Sequence, residues 1–126
     1  MTAGVPTHSV RQKEIVTDYL AALERHVTDL KAGRATHSYE IRDFADILHI
    51  HPRHLSNTLH QVLGKSPCDL YEERLMEVAR ELLNNTRIPI GQIAAQLFFD
   101  PSNFTKFFKR FDGVTPKEYR QRFMKN

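Results

Sequence analysis

Apolar residues recur at three- and four-residue intervals along most of this chain, and few segments alternate apolar with polar residues. That pattern predicts helices throughout and an all-α fold. Near the start, Ile15, Tyr19, Leu23, Val27 and Leu30 form one stripe, expected to cover the unit that follows. Residues 32–40, AGRATHSYE, read as a loop. A short segment then carries Ile41, Phe44, Ala45 and Leu48 on one face, and a later one carries Ile90, Ile93, Ala94 and Leu97. Between them, residues 67–84 place Tyr71, Leu75, Val78, Ala79 and Leu82 at helical spacing, and NNTRIP interrupts that helix. The last helix, 116 to about 124, is expected to pack Tyr119 and Phe123 on the second unit.

Two of these segments are copies of one another. Residues 44–67, FADILHIHPRHLSNTLHQVLGKSP, align without gaps on residues 93–116, IAAQLFFDPSNFTKFFKRFDGVTP, at a spacing of 49. Ala45 meets Ala94, Leu48 meets Leu97, Pro52 meets Pro101, Leu59 meets Phe108, Gly64 meets Gly113 and Pro67 meets Pro116. Proline suits the first turn of a helix, where its missing N–H costs nothing. Asp100 is a good N-cap before Pro101. Gly64 and Gly113 are helix stops. SPCD and TPKE read as capping boxes, with Ser66 or Thr115 at the N-cap and an acid at N3. A short helix, a tight turn and a second helix, with a small alanine permitting close approach, make a helix-turn-helix. The expected architecture is therefore about seven helices in two helix-turn-helix subdomains joined by a long linker helix. Its parts are a flexible N-terminus (1–8), a first subdomain (9–66), the linker (67–84) and a second subdomain (85–126). The linker is roughly 25 Å long at 1.5 Å per residue, a span suited to holding two units about one DNA turn apart, ~34 Å.

Six of the eight phenylalanines lie in FFDPSNFTKFFKRF, residues 98–111, interleaved with positive charge. Rings in such a place could grip a membrane, stack on bases, or hold up a helix. Phe104, Phe107, Phe108 and Phe111 fall at i, i+3, i+4 and i+7, a core-facing stripe, and Leu55, Thr58, Leu59 and Val62 hold the same places in the first copy. A ring that fills the core cannot also lie on a nucleotide or in lipid, so the phenylalanines are structural.

The opposite faces then become informative. The first copy presents Arg53, Asn57, His60 and Gln61, with Ser56 on the flank, and the second presents Ser102, Asn103, Lys106, Lys109 and Arg110. A helix fits the DNA major groove, where Arg pairs with guanine and Asn or Gln with adenine, while Lys, Ser and Thr more often hold phosphates. Net charge is +3, and residues 99–126 hold seven basic against three acidic side chains, which suits a polyanionic partner. The expected phosphate contacts are His60, Gln61, Lys65, Lys109, Arg110, Thr115 and Lys117.

IPIGQIAAQLFFDPSNFTKFFKRFDGVTPKEYRQRF resembles the signature of the AraC/XylS family of bacterial transcription regulators, ending in that family's G-x-T-P-x-x-Y-R. RHLSNTLHQVLGKSPCDLYEERLMEVARELL is similar to the family's first unit and linker helix. The resemblance spans roughly residues 39–124, and residues 11–31 suit the family's first helix. It implies one monomer presenting two recognition helices to successive major grooves on one DNA face. It also implies base reading by Arg53, Ser56 and Asn57 in the first unit and by Ser102, Asn103 and Lys106 in the second. The chain departs from the family at the second turn, where Phe98 replaces a usual glycine and one residue is missing. Many members carry a separate effector domain, for which these 126 residues have no room. Because Met1 begins the sequence, a stand-alone regulator is expected over an excised domain.

Other chemistry is not expected. His49, His51, His54 and His60 cluster, but without a nearby cysteine or well-spaced carboxylate for zinc; turn surface, N-cap and phosphate contact are the roles assigned to them. Cys68 sits in the first turn of a helix, where a thiol pKa falls, and is read as a small half-buried residue rather than a redox sensor. No nucleophile with its base, no phosphate-binding glycine loop and no paired acids can be placed, so no enzyme, cofactor or metal is expected. No apolar run approaches the ~18 residues of a membrane span, no secretory signal opens the chain, and one cysteine fits a reducing cytoplasm. The expectation is a cytoplasmic, nucleoid-associated protein that binds double-stranded DNA as a monomer, with RNA polymerase as a further candidate partner. The rival is a helical protein-interaction module on the same scaffold, to which Asp69, Glu72, Glu73, Glu77 and Glu81 on the linker lend some support.

Overall fold

The computed structural model describes residues 8–123 and the side chains through Arg122. The flexible segment expected at 1–8 therefore falls, from 1 to 7, outside the described residues, and so does the packing expected of the Phe123 side chain. The described residues form seven helices, α1 (Val10–Ala32), α2 (Ile41–Leu48), α3 (Pro52–Leu63), α4 (Pro67–Asn85), α5 (Ile90–Gln96), α6 (Pro101–Asp112) and α7 (Pro116–Phe123). The internal repeat is carried into the fold. α3 and α6 are displaced by 49 positions at both ends, and so are the starts of α2 and α5 and of α4 and α7, while α5 ends one residue earlier than α2 in that register.

The local chemistry explains where the helices start and stop. His51 Nδ1 accepts the Arg53 N–H at 3.0 Å, and Asp100 Oδ1 accepts the Asn103 N–H at 2.8 Å, so each α3 or α6 N-terminus has a side-chain cap ahead of its proline. Gly64 and Gly113, at φ 70° and 88°, end the same helices in the left-handed region. Both expected capping boxes form. The Asp69 N–H donates to Ser66 Oγ at 3.0 Å and the Glu118 N–H to Thr115 Oγ1 at 3.1 Å, with each carboxylate accepting in return. Two further boxes open α1, between Ser9 and Gln12, and α2, between Glu40 and Asp43.

The two inter-helix turns share one design. The Ile50 N–H reaches Ala45 O at 3.0 Å and the His49 N–H reaches Asp46 O at 3.2 Å; the second copy repeats this with Phe99 to Ala94 at 2.8 Å and Phe98 to Ala95 at 3.0 Å. This pair of bonds is a Schellman motif, which calls for a left-handed residue at its pivot. Here the pivots are His49 (φ 59°) and Phe98 (φ 65°) rather than glycine. A left-handed L-residue costs about 1–2 kcal/mol, and glycine's extra chain entropy returns part of that. His49→Gly is thus expected to raise unfolding free energy by about 0.5–1 kcal/mol, and His49→Val to lower it by about 1–2 kcal/mol. Thermal unfolding of the two variants should move in opposite directions.

Two compact units result. The first comprises the described residues up to Arg25 together with Tyr39–Leu70. Its buried residues include Ile15, Tyr19, Leu23, Phe44, Ala45, Leu55 and Leu59. Tyr19 meets the edge of Phe44 at 5.2 Å between ring centres and donates its hydroxyl to Pro67 O at 3.3 Å. The second comprises His26–Ser38 and the described residues from Tyr71 on. Val27 and Leu30 at the end of α1 are buried there, along with Leu75, Met76, Val78, Ala79, Leu82 and Leu83 of α4. α4 is therefore more than a spacer, because most of its length supplies core to the second unit. Ala45 and Ala94 are wholly buried, as expected of the small residues in the helix-turn-helix pairs.

Candidate nucleic-acid interface

α3 turns one face entirely inward. Leu55, Thr58 and Leu59 are buried, and Val62 is half-buried. The remaining surface of the helix carries Arg53, Asn57, His60 and Gln61, all exposed, with Ser56 half-buried on its flank and Lys65 exposed just past the Gly64 stop. Gln61 on this face is tethered to α1, its Oε1 accepting a hydrogen bond from Gln12 Nε2 at 2.7 Å. Among the clustered histidines, His51 is occupied as the α3 cap and His49 is the turn pivot.

α6 repeats the arrangement in the second unit. Phe104, Phe107 and Phe108 are buried, with Phe99 stacked on Phe107 at 4.9 Å and Tyr119 edge-on to Phe108 at 5.4 Å. Phe111 departs from the expected core stripe, being 42% exposed. It stands in the last turn of α6, one residue before its end, where the helix outruns the residues that cover its earlier turns. Its ring is not idle, for the Arg110 guanidinium lies 4.9 Å from its centre, within cation–π range.

Ser102, Asn103, Lys106, Lys109 and Arg110 are all exposed on α6, but they are not equally available. Asn103 Nδ2 donates to Asp100 Oδ2 at 2.7 Å, so its amide is turned back to the helix cap. Arg110 pairs with Glu72 of α4 at 3.3 Å. Ser102, Lys106 and Lys109 are thereby the outward set. Beyond α6, Lys117 is exposed, while Thr115 is half-buried and its hydroxyl oxygen accepts the Glu118 N–H. The Thr115 backbone and hydroxyl, helped by Lys109 and Arg122, hold the Glu118 carboxyl below the usual carboxylate range. Cys68 is exposed at the second position of α4, not half-buried as expected, because the first turn of α4 shows that position to solvent.

Three side chains of consequence are not evident from sequence pattern. Gln12 and Glu72 contact α3 and α6 through tertiary pairing, although Gln12 stands at the N3 position of a readable S-x-x-Q box. Arg120 donates to four backbone carbonyls, Leu83 at 3.0 Å, Ile88 at 2.6 Å, and Leu82 and Thr86 at 3.3 Å. Only its place in the G-x-T-P-x-x-Y-R stretch hints at importance. Among the described residues no group of three side chains is placed to hold a metal ion, and no helix is long and apolar enough to cross a membrane.

Known proteins share this pattern. A family described as a helix-turn-helix domain matches residues 44–122. The uncharacterized HTH-type transcriptional regulator YisR of Bacillus subtilis (strain 168) is 37% identical over 82 residues, covering 64% of this chain and 29% of that protein. The arabinose operon regulatory protein of Escherichia coli (strain K12) is 31% identical over 87 residues, covering 68% of this chain and 30% of its own. The chain thus spans about 30% of the length of these curated relatives. Among solved structures, the C-terminal domain of AraT, a response regulator from Geobacillus stearothermophilus, superposes with a TM-score of 0.74 at 29% identity, covering 86% of this chain and 84% of that one. With its two capped helix-turn-helix units and this match over most of its length, the chain belongs to the AraC-type helix-turn-helix family of DNA-binding domains.

Proposed function

We propose that this chain regulates transcription by sequence-specific binding to double-stranded DNA, inserting α3 and α6 into successive major grooves. The observation that carries the reading is the division of each recognition helix. One face buries three residues in the core, Leu55, Thr58 and Leu59 on α3 and Phe104, Phe107 and Phe108 on α6, and the other holds out polar or cationic side chains at equivalent register in both copies. Base reading is assigned to Arg53, Ser56 and Asn57 on α3, and to Ser102, Lys106 and the cap-tethered Asn103 on α6. Phosphate contact is assigned to His60, Gln61, Lys65, Lys109, Lys117, Thr115 once its hydroxyl leaves Glu118, and Arg110 once Glu72 yields it. Because the two faces differ, a monomer should select an asymmetric site of ~20 base pairs. The same proposal has the protein act by binding rather than catalysis, in the cytoplasm on the nucleoid, with RNA polymerase as a further contact.

Selection of preferred sites from random duplexes, followed by two substitutions, tests the reading. Arg53→Ala is expected to cost ~1–3 kcal/mol and to relax one base position, whereas Lys109→Ala should weaken all sequences alike and reduce the salt slope by about 1. Unchanged affinity and preference in Arg53→Ala would remove that residue from base reading. Binding to random duplex without a salt slope would instead favour a protein-interaction module.

A further inference from the structure

Gln12 serves two partners at once. Its Oε1 accepts the Ser9 backbone N–H at 2.9 Å, and its own backbone N–H donates to Ser9 Oγ at 3.0 Å, closing the box that starts α1. A backbone N–H can only donate, so the Gln12 carboxamide must turn its oxygen to Ser9 and its nitrogen the other way. On that other side lies Gln61 of α3, whose Oε1 is 2.7 Å from Gln12 Nε2. An NH2 group donates and does not accept. Gln61 is therefore obliged to turn its oxygen toward α1 and its own amide nitrogen outward.

We infer that Gln12 is a positioning residue that fixes the hydrogen-bond polarity of Gln61, making Gln61 a donor on the recognition face of the first unit. The inference rests on the duplex-binding reading and sharpens it. A glutamine with both carboxamide atoms available reads adenine bidentately, accepting from N6 and donating to N7. With its oxygen turned to α1, Gln61 directs its N–H outward, which suits a phosphate oxygen and weakens the bidentate adenine code. An N-cap on one helix thus orients an anion contact on another, through three groups whose directions follow from a single main-chain donor.

Gln12→Glu separates this from a passive surface contact. Glutamate keeps the α1 box, since its carboxylate still accepts from Ser9, but it presents an oxygen to Gln61 and reverses that amide. In the DNA-free protein, exchange of the Gln61 Nε2H2 protons with water is expected to be fast in the wild type and slowed in Gln12→Glu. On duplex, Gln12→Glu should lose about tenfold in affinity, evenly across sequences. In a Gln61→Ala background only the long-range charge remains, and the loss should shrink at least about threefold, within the range of one hydrogen bond. Unchanged exchange, or an equal loss in both backgrounds, overturns the positioning role. A loss confined to one base position overturns the phosphate assignment. Absence of duplex binding by the wild type would fall on the functional reading alone, because the exchange measurement needs no DNA.

Discussion

Phe104→Ala is expected to lower the unfolding free energy by about 3–5 kcal/mol, and Phe111→Ala by less than about 1 kcal/mol, although the two rings share one helical stripe. Phe104 is wholly buried, with its ring centre 5.9 Å from that of Phe99 and 6.1 Å from that of Phe108. Truncating it removes a fully buried ring from the core of the second unit and leaves a cavity among the rings around it. Small domains hold only about 5–15 kcal/mol in total, so a large fraction of the margin goes with this one side chain. Phe111 keeps 42% of its surface in water and loses mainly its contact with Phe107 and the cover it gives Arg110. Urea denaturation of both variants decides the matter. Comparable costs at the two positions would mean that α6 is seated with Phe111 as deep in the core as Phe104.

That contrast also marks the reach of sequence pattern. The stripes, the 49-residue repeat, the proline starts, the glycine stops and both Ser66 and Thr115 boxes are all legible, because burial and capping are decided within about four residues of each position. Periodicity alone extends the stripe to Phe111, since it carries no information about where the covering residues run out. The left-handed pivots are opaque for a different reason. Neither histidine nor phenylalanine announces a positive φ, and only the glycine that the family favours at the Phe98 position points there. The polar face is legible as a set of exposed residues, yet its internal pairings are not. Gln61 with Gln12, and Arg110 with Glu72, join residues 49 and 38 positions apart. Their effect is to divide a uniform-looking row of candidates into tethered and outward groups, a distinction that exists only once the helices are packed.

Arg120→Ala is expected to destabilise the protein by about 3 kcal/mol, far more than a half-exposed basic residue usually commands. The last carbonyls of any helix lack intrahelical partners, and α4 ends at Asn85 with Leu82 and Leu83 in that position. Arg120 supplies N–H donors to both, and its remaining reach takes in Thr86 and Ile88 of the segment leading to α5. One planar guanidinium thus closes α4 and fixes the connection that launches the second helix-turn-helix. Hydrogen bonds from a charged donor are worth roughly 1.5–3 kcal/mol, and leaving the carbonyl of buried Leu83 without this donor adds to the loss, while Leu82 O keeps the Thr86 hydroxyl. Burial pulls the guanidinium pKa down, which is the cost of setting a cation among carbonyls, though arginine stays charged there. Arg120→Lys preserves the charge but concentrates it at one point that cannot span carbonyls from Leu82 to Ile88, so it should recover less than half of the stability. Hydrogen exchange provides the sharper reading, with protection expected to fall first at the end of α4 and in residues 86–92. Were Arg120→Ala to behave like an ordinary surface change, within about 0.5 kcal/mol, the clamp would be wrong.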